Sequence, residues 1–367
     1  MKTTLLRTTA IAAILMMSAT AAQAEIKLDL GGFFKGYAGY SSQDTDDLRE
    51  FDIKRKSELT FTGETTLDNG LTVGYEGQLI QENDANQIED SYLYFSGSWG
   101  RVNLGRTYGA AYLLQVSAPG ADANQDGQDI DFSFVNLGNS FVDQDYQHNG
   151  SFDDNHTLDS ITYLTPKFNG FQAGATYSAA IDQKNRGVAP GTGNLGGMET
   201  DNDGDDFENG IEFGARYDGE FNGVGIHAGA GYSHATLENE AASVLVNDDF
   251  QEWNAGLKLT YNNFGFGGAY NTDNNAVDNN GDNDNWTVGA DYTWGAYKFG
   301  ASYFNSTAEI PAGTENDLDR YMVGATYTFG PGMDFRGAVG YYDLDVGATP
   351  ADDNQATVVT VGTDIQF

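Results

Sequence analysis

Apolar and polar residues alternate one by one along most of this chain. The closing stretch TVVTVGTDIQF shows the pattern most plainly. Phe367, Ile365, Thr363, Val361, Val359 and Thr357 form one set, and Gln366, Asp364, Gly362, Thr360 and Val358 the other. Period two over that length predicts a strand with a different solvent on each face. A half-buried edge strand of a soluble sheet would read the same way. Recurrence decides the matter. Similar segments fall at roughly 29–41, 51–67, 71–81, 88–97, 101–107, 158–165, 171–180, 209–221, 224–236, 250–261, 264–272, 285–294, 297–306, 317–329, 333–345 and 357–367. The expected fold is therefore all-β: a transmembrane antiparallel β-barrel of about sixteen strands, closed so that no edge meets lipid.

Connections between these segments alternate in length. Asp68–Gly70, Asn222–Gly223, Asn262–Asn263 and Gly295–Ala296 are short and built from turn residues, whereas the intervening loops are long and acidic. Short periplasmic turns and long outer loops are the asymmetry of outer-membrane barrels. Tyr261, Trp294 and Phe329 lie beside the short turns, Phe367 at the C-terminus, and Trp253 and Trp286 near the loop ends, as two interfacial girdles would require.

One interruption stands out. From Tyr108 to about His156 no alternation appears, although Ala110–Val116 could form a short helix. An unstructured stretch this long inside a compact domain is usually functional.

Composition narrows the partners. Lys2 and Arg7, the apolar run Ala10–Met17 and the small-x-small triplet Ala22–Ala24 read as a signal peptide over residues 1–24, with a barrel over 25–367. The chain has no cysteine and a net charge of −36, two units more negative without the leader's cations. Such acidity repels phosphate backbones and excludes nucleic acid as a partner. It leaves two readings, solvated loops or a field that favours cations.

Two segments are more specific. Arg101–Tyr112 (RVNLGRTYGAAY) resembles the fifth strand of the Gram-negative general porins as it leaves for their third loop, and Ser160–Phe171 (SITYLTPKFNGF) resembles the strand-turn-strand that follows it. The resemblance extends in pattern over the whole chain after the leader. It implies a homotrimer of sixteen-stranded barrels in the outer membrane of a Gram-negative bacterium, in contact with lipid and lipopolysaccharide. It implies passage of small polar solutes and ions through a water-filled channel. It implies a third loop, about 108–156, folded inward to narrow the pore, with Asp122, Asp126, Asp129 and Asp131 as its acidic side. Arg106 matches the family's wall arginine. The terminal Phe367 is similar to the assembly signal read by the barrel-insertion machinery. Where the family often carries an arginine, this chain has Thr162, which weakens the basic wall.

Parity adds Lys54 and Lys56, which share the polar face of their strand with Asp52, Glu58 and Glu64, whereas Arg106 falls in phase with Val102 and Leu104 and needs a bulge at Gly105 to turn inward. Asp122, Asn124 and Asp126 have the first half of a calcium-loop spacing, but Ser133 stands where a bidentate glutamate is wanted, so a solvated loop competes with calcium. No cofactor is required. The histidines offer no serine–histidine pair along one strand, so no enzyme is expected. The sequence thus points to a diffusion porin that prefers cations. The alternatives are a substrate-specific channel, or a plugged barrel whose surface loops are structural or adhesive.

Overall fold

The computed structural model describes residues 26–45, 47–80, 88–138, 140–148, 158–181, 207–239, 246–277, 281–310, 313–347 and 352–367. The leader, His156, most of the acidic loop around 200 and residues 278–280 lie outside these residues. Sixteen strands run β1 Lys27–Gln43, β2 Phe51–Thr66, β3 Thr72–Ile80, β4 Ile88–Gly97, β5 Gly100–Thr107, β6 Leu158–Leu164, β7 Phe171–Ala180, β8 Phe207–Phe221, β9 Val224–Leu237, β10 Phe250–Tyr261, β11 Phe264–Asp273, β12 Asn283–Trp294, β13 Tyr297–Ile310, β14 Thr314–Gly330, β15 Met333–Val346 and β16 Asn354–Gln366. Two short helices, α1 Ala110–Leu114 and α2 Ala123–Asp126, lie between β5 and β6.

Every strand pairs antiparallel with its sequence neighbours, and β1 pairs with β16 to close a barrel. At the seam the register runs from Phe33 opposite Gln366 to Gln43 opposite Ala356. Beyond it, Gly32 and Phe367 exchange two backbone hydrogen bonds of 3.0 Å, so the last residue still belongs to the sheet. Closure leaves no unpaired strand edge, which an apolar solvent would penalise heavily.

The period-two pattern sorts the faces. On β16, Gln355, Thr357, Val359 and Val361 are exposed, whereas Asn354, Ala356, Val358, Thr360 and Asp364 are buried within the barrel. The outer wall is consequently apolar and the inner wall polar or small. Aromatic rings mark both rims outside: Phe221, Tyr261, Phe264, Trp294 and Phe329 beside the short turns, and Trp253, Tyr270, Trp286, Tyr321 and Tyr341 toward the long loops. The tight turns follow from their residues. Asn222 and Gly223 both take positive φ, 51° and 81°, which a two-residue hairpin of the right twist demands.

A register shift between Gly77 and Leu79 places Glu89 and Asp90 of β4 opposite the single residue Gln78. Their flanking neighbours Ile88 and Ser91 stay in outward phase, so the bulge turns both carboxylates toward the lumen. The bulge expected at Gly105 is not there. Pairing runs unshifted through Gly105 on both sides, with φ +127° absorbing local twist, and Arg106 remains in phase with Leu104 and Ile161.

Candidate functional site

The segment after β5 packs against inward-facing residues of most of the barrel, in two passes. The first pass, residues 110–126, begins where α1 meets β7 and β8. The Ala110 amide donates to Thr176 Oγ1 at 2.8 Å and the Ala111 amide to Glu212 Oε2 at 3.1 Å. From there the chain lies directly on the wall. Glycines of β8 to β13 face its backbone so closely that a Cβ on Gly214, Gly229, Gly256, Gly289 or Gly300 would come within 3.0 Å of a loop carbonyl oxygen.

This pass ends in a latch on β15, β16 and β1. Asp122 caps α2 and receives the Tyr37 hydroxyl at 2.8 Å, Arg336 Nη1 at 3.1 Å and Gln125 Nε2 at 3.1 Å. Arg336 also reaches Asp364 and Asp334 at 3.3 Å each. Asp126 accepts the amides of Ala121 and Asp122 at 2.6 and 2.9 Å and the Ser302 hydroxyl at 2.5 Å. Burial raises the Asp126 carboxyl above its ordinary range, and the Ser302 bond works against that rise.

The second pass returns at another level. Asn136 O accepts from Asn354, Ser140 O from Asn316, and Gln147 O from Asn271, at 2.8, 2.6 and 2.9 Å. Asp143 accepts from Asn283 and Asn285 at 2.9 and 2.5 Å. Asparagine suits these buried inner-wall positions, since a neutral amide donates to the loop without the cost of burying a charge. The pass ends at His148, whose Nε2 lies 2.5 Å from Ser233 Oγ and whose Nδ1 lies 3.4 Å from Glu252 Oε1. Serine, histidine and carboxylate thus meet, across three elements that no local pattern could connect. The histidine is 0% exposed and the serine 1%, so no solute reaches them and their role is to anchor. Burial holds the His148 imidazole down to about 3, so it is neutral.

The two passes cover the inner wall from β7 around to β2 and leave β3 to β5 bare. The expected site residues divide accordingly. Asp122 and Asp126 are buried in the latch, and among the described residues no three His, Asp or Glu side chains gather as a metal group. Asp131 pairs with Lys35 at 2.6 Å and Lys56 at 2.7 Å. Lys54 donates to the Ser133 carbonyl and lies 5.1 Å from the Phe134 ring. Asp129 is half-buried and accepts from Tyr112 at 3.2 Å, beside the stacked pair Tyr108–Tyr112. Thr162 is buried against Thr176. Phe367 is at the seam.

The carboxylates on and beside the bare wall were not proposed as site residues from the sequence. Glu76 of β3 and Glu58 of β2 face inward, and with Glu89 they are the acidic neighbours of Asp90, whose other charged neighbour is Arg106. Asp129 interacts electrostatically with Glu89 and Lys56 across the opening. Asp90 is 3% exposed, and its Oδ1 accepts no hydrogen bond from the described residues. Glu58 was legible by parity. Glu89 was not, because a bulge brings it inward.

Comparison with known proteins places this geometry. The family model for Gram-negative porins matches residues 8–347. Outer membrane porin N of Escherichia coli K12 is 26% identical over 371 residues, covering 92% of this chain and 89% of that protein. Among solved structures, the fold is similar to the trimer form of OmpT from Vibrio cholerae (TM-score 0.61, 16% identity, 93% of this chain and 99% of that one). It is also similar to the anion-selective porin from Comamonas acidovorans (0.60, 16%, 94% and 100%) and to OmpF of Salmonella typhi in complex with daunomycin (0.63, 18%, 93% and 98%).

Proposed function

The chain belongs to the Gram-negative porin family, an outer-membrane channel by that membership, and from this premise we propose that it passes small hydrophilic solutes and ions passively with a preference for cations. The fold does not decide the sign of selectivity, since a structure of the same architecture is described as anion-selective. The lining decides it. One observation carries the reading: Glu58, Glu76 and Glu89 face inward on β2, β3 and β4 near Asp129, while Lys35 and Lys56 are both held in ion pairs by Asp131. An opening lined by more carboxylates than cations concentrates positive ions, and salt screens the effect over about 8 Å at physiological strength.

The test is a reversal potential across a planar bilayer under a salt gradient. Wild type should favour the cation, and Glu76→Gln/Glu89→Gln should favour it less. An anion preference in the wild type would sink the proposal.

We further propose a homotrimer. Arg55, Ser57, Ser91, Arg106 and Asp159 occupy outward phase on β2, β4, β5 and β6, where a charge facing lipid would be costly and a subunit contact would not. The OmpT relative in trimer form is consistent with this. Cross-linking before detergent extraction tests it, and a monomer band alone would reject it. The remaining outer wall is assigned to lipid and lipopolysaccharide, and Phe367 to recognition by the insertion machinery.

A further inference from the structure

The first pass of the loop owes its place to the absence of side chains beneath it. Gly214, Gly229, Gly256, Gly289 and Gly300 sit in inward phase on β8, β9, β10, β12 and β13. The atoms nearest their would-be Cβ are the carbonyl oxygens of Ala110, Leu114, Val116, Pro119 and Gly120 in that order. Wall position thus advances with loop position, residue after residue. On the bare strands the inward phase carries Glu76, Tyr92 and Asn103, and the space over its glycine Gly74 is filled by the Tyr94 side chain, not by the loop.

We infer that these glycines form a rail that sets the bore of the channel: they position the loop, and the loop behaves as a fixed liner. A methyl group added to the rail must push something. The wall strands are held by hydrogen bonds to neighbours on both sides, so they resist. The stretch between α1 and α2 has no ladder of its own and yields. It can yield only toward the lumen, which narrows the opening between loop and bare wall. Both ends of this first pass are held, by the α1 amides on Thr176 and Glu212 and by the Asp122 latch, so displacement between them becomes constriction.

The experiment is Gly256→Ala/Gly289→Ala in the full-length protein, purified and reconstituted. Single-channel conductance should fall by roughly 1.5-fold or more, and the largest uncharged polyethylene glycol that enters should become smaller. Heat-modifiable mobility on gels should be unchanged, which separates a narrower pore from a damaged barrel. Gly337→Ala is the control. Gly337 is in outward phase, with its nearest neighbouring atom 3.6 Å from the added Cβ, and should conduct as wild type. If the double variant does not assemble, Gly300→Ala serves, because the obstructing residue there is itself a glycine, Gly120. An assembled variant with wild-type conductance and cut-off overturns the rail. This inference rests on the channel reading. A wild type that does not conduct would fail that reading, whereas a conducting wild type with unaffected variants fails only the rail.

Discussion

Arg336 Nη1 lies 3.1 Å from Asp122 Oδ1, joining the middle of the inner loop to a strand more than two hundred residues away. The aspartate is 1% exposed and the guanidinium 13%. Removing one partner of a buried pair leaves the other charged and unpaired, at a cost of about 3–5 kcal/mol. Arg336→Ala should therefore lower thermal stability and increase open-channel current noise, as the loop leaves its seat. Asp122→Asn should do less, since Arg336 keeps Asp364 and Asp334. Equal melting temperatures for Arg336→Ala and wild type would contradict the latch.

Asp131 is the shared counter-ion of Lys35 and Lys56. In Asp131→Asn the two ammonium groups would lose their ion-pair partner. Reversal potentials should then shift toward anions, by an amount that shrinks at high salt. A shift toward cations would show that the lysines do not face the solute path.

The loop's return pass titrates in two directions. Burial, helped by Asp129 and Asp143, raises Asp145 to about 8. The folded state binds that proton more tightly, so its contribution is full below the ordinary carboxylate range and is lost as pH rises through about 8. His148 is the reverse. Lowered from 6.5 to about 3, it contributes fully above 6.5, and the contribution is lost as pH falls through about 3. Of the two, only Asp145 changes between pH 6.5 and 8. Resistance of the loop to protease should decline over that interval, and Asp145→Asn should flatten the decline. An unchanged slope in the variant would refute the assignment.

Phe367 closes the seam through its backbone and leaves its ring 65% exposed on the outside. Deleting it should reduce the amount of protein reaching the outer membrane far more than it alters the conductance of barrels that do assemble. Normal yield with altered conductance would place its role in the pore.

The barrel was legible because its physics is local. Alternation marks strands, turn residues mark hairpins, and both survive reading one residue at a time. Predicted strand limits differ from the observed ones mainly at the loop ends, where β13 and β14 continue further, to Ile310 and from Thr314. Lys54 and Lys56 fell on the inner face by parity alone. The candidate site was less legible because it depends on exceptions and on distant pairings. Arg106 was expected to need a bulge at Gly105, yet the bulge lies one strand away and turns Glu89 inward instead. Asp122 was grouped with Asp129 as a pore acid because spacing cannot foresee Tyr37 and Arg336. The inner-wall glycines and asparagines were visible as residues. What they touch is a segment far off in the chain, so their meaning was not.

The uneven cover of the inner wall divides the barrel by mutational tolerance. From β7 around to β2, inward positions answer to a loop pressed upon them, and a single methyl or a lost amide is felt at once. On β3 to β5 no loop presses on the same phase: Asp90, Tyr92, Tyr94 and Asn103 are buried among their wall neighbours, whereas a partly exposed position such as Glu76 can change charge or size without unseating the loop. New permeation properties can therefore arise on three strands by point substitution, while the larger arc keeps the framework constant beneath them.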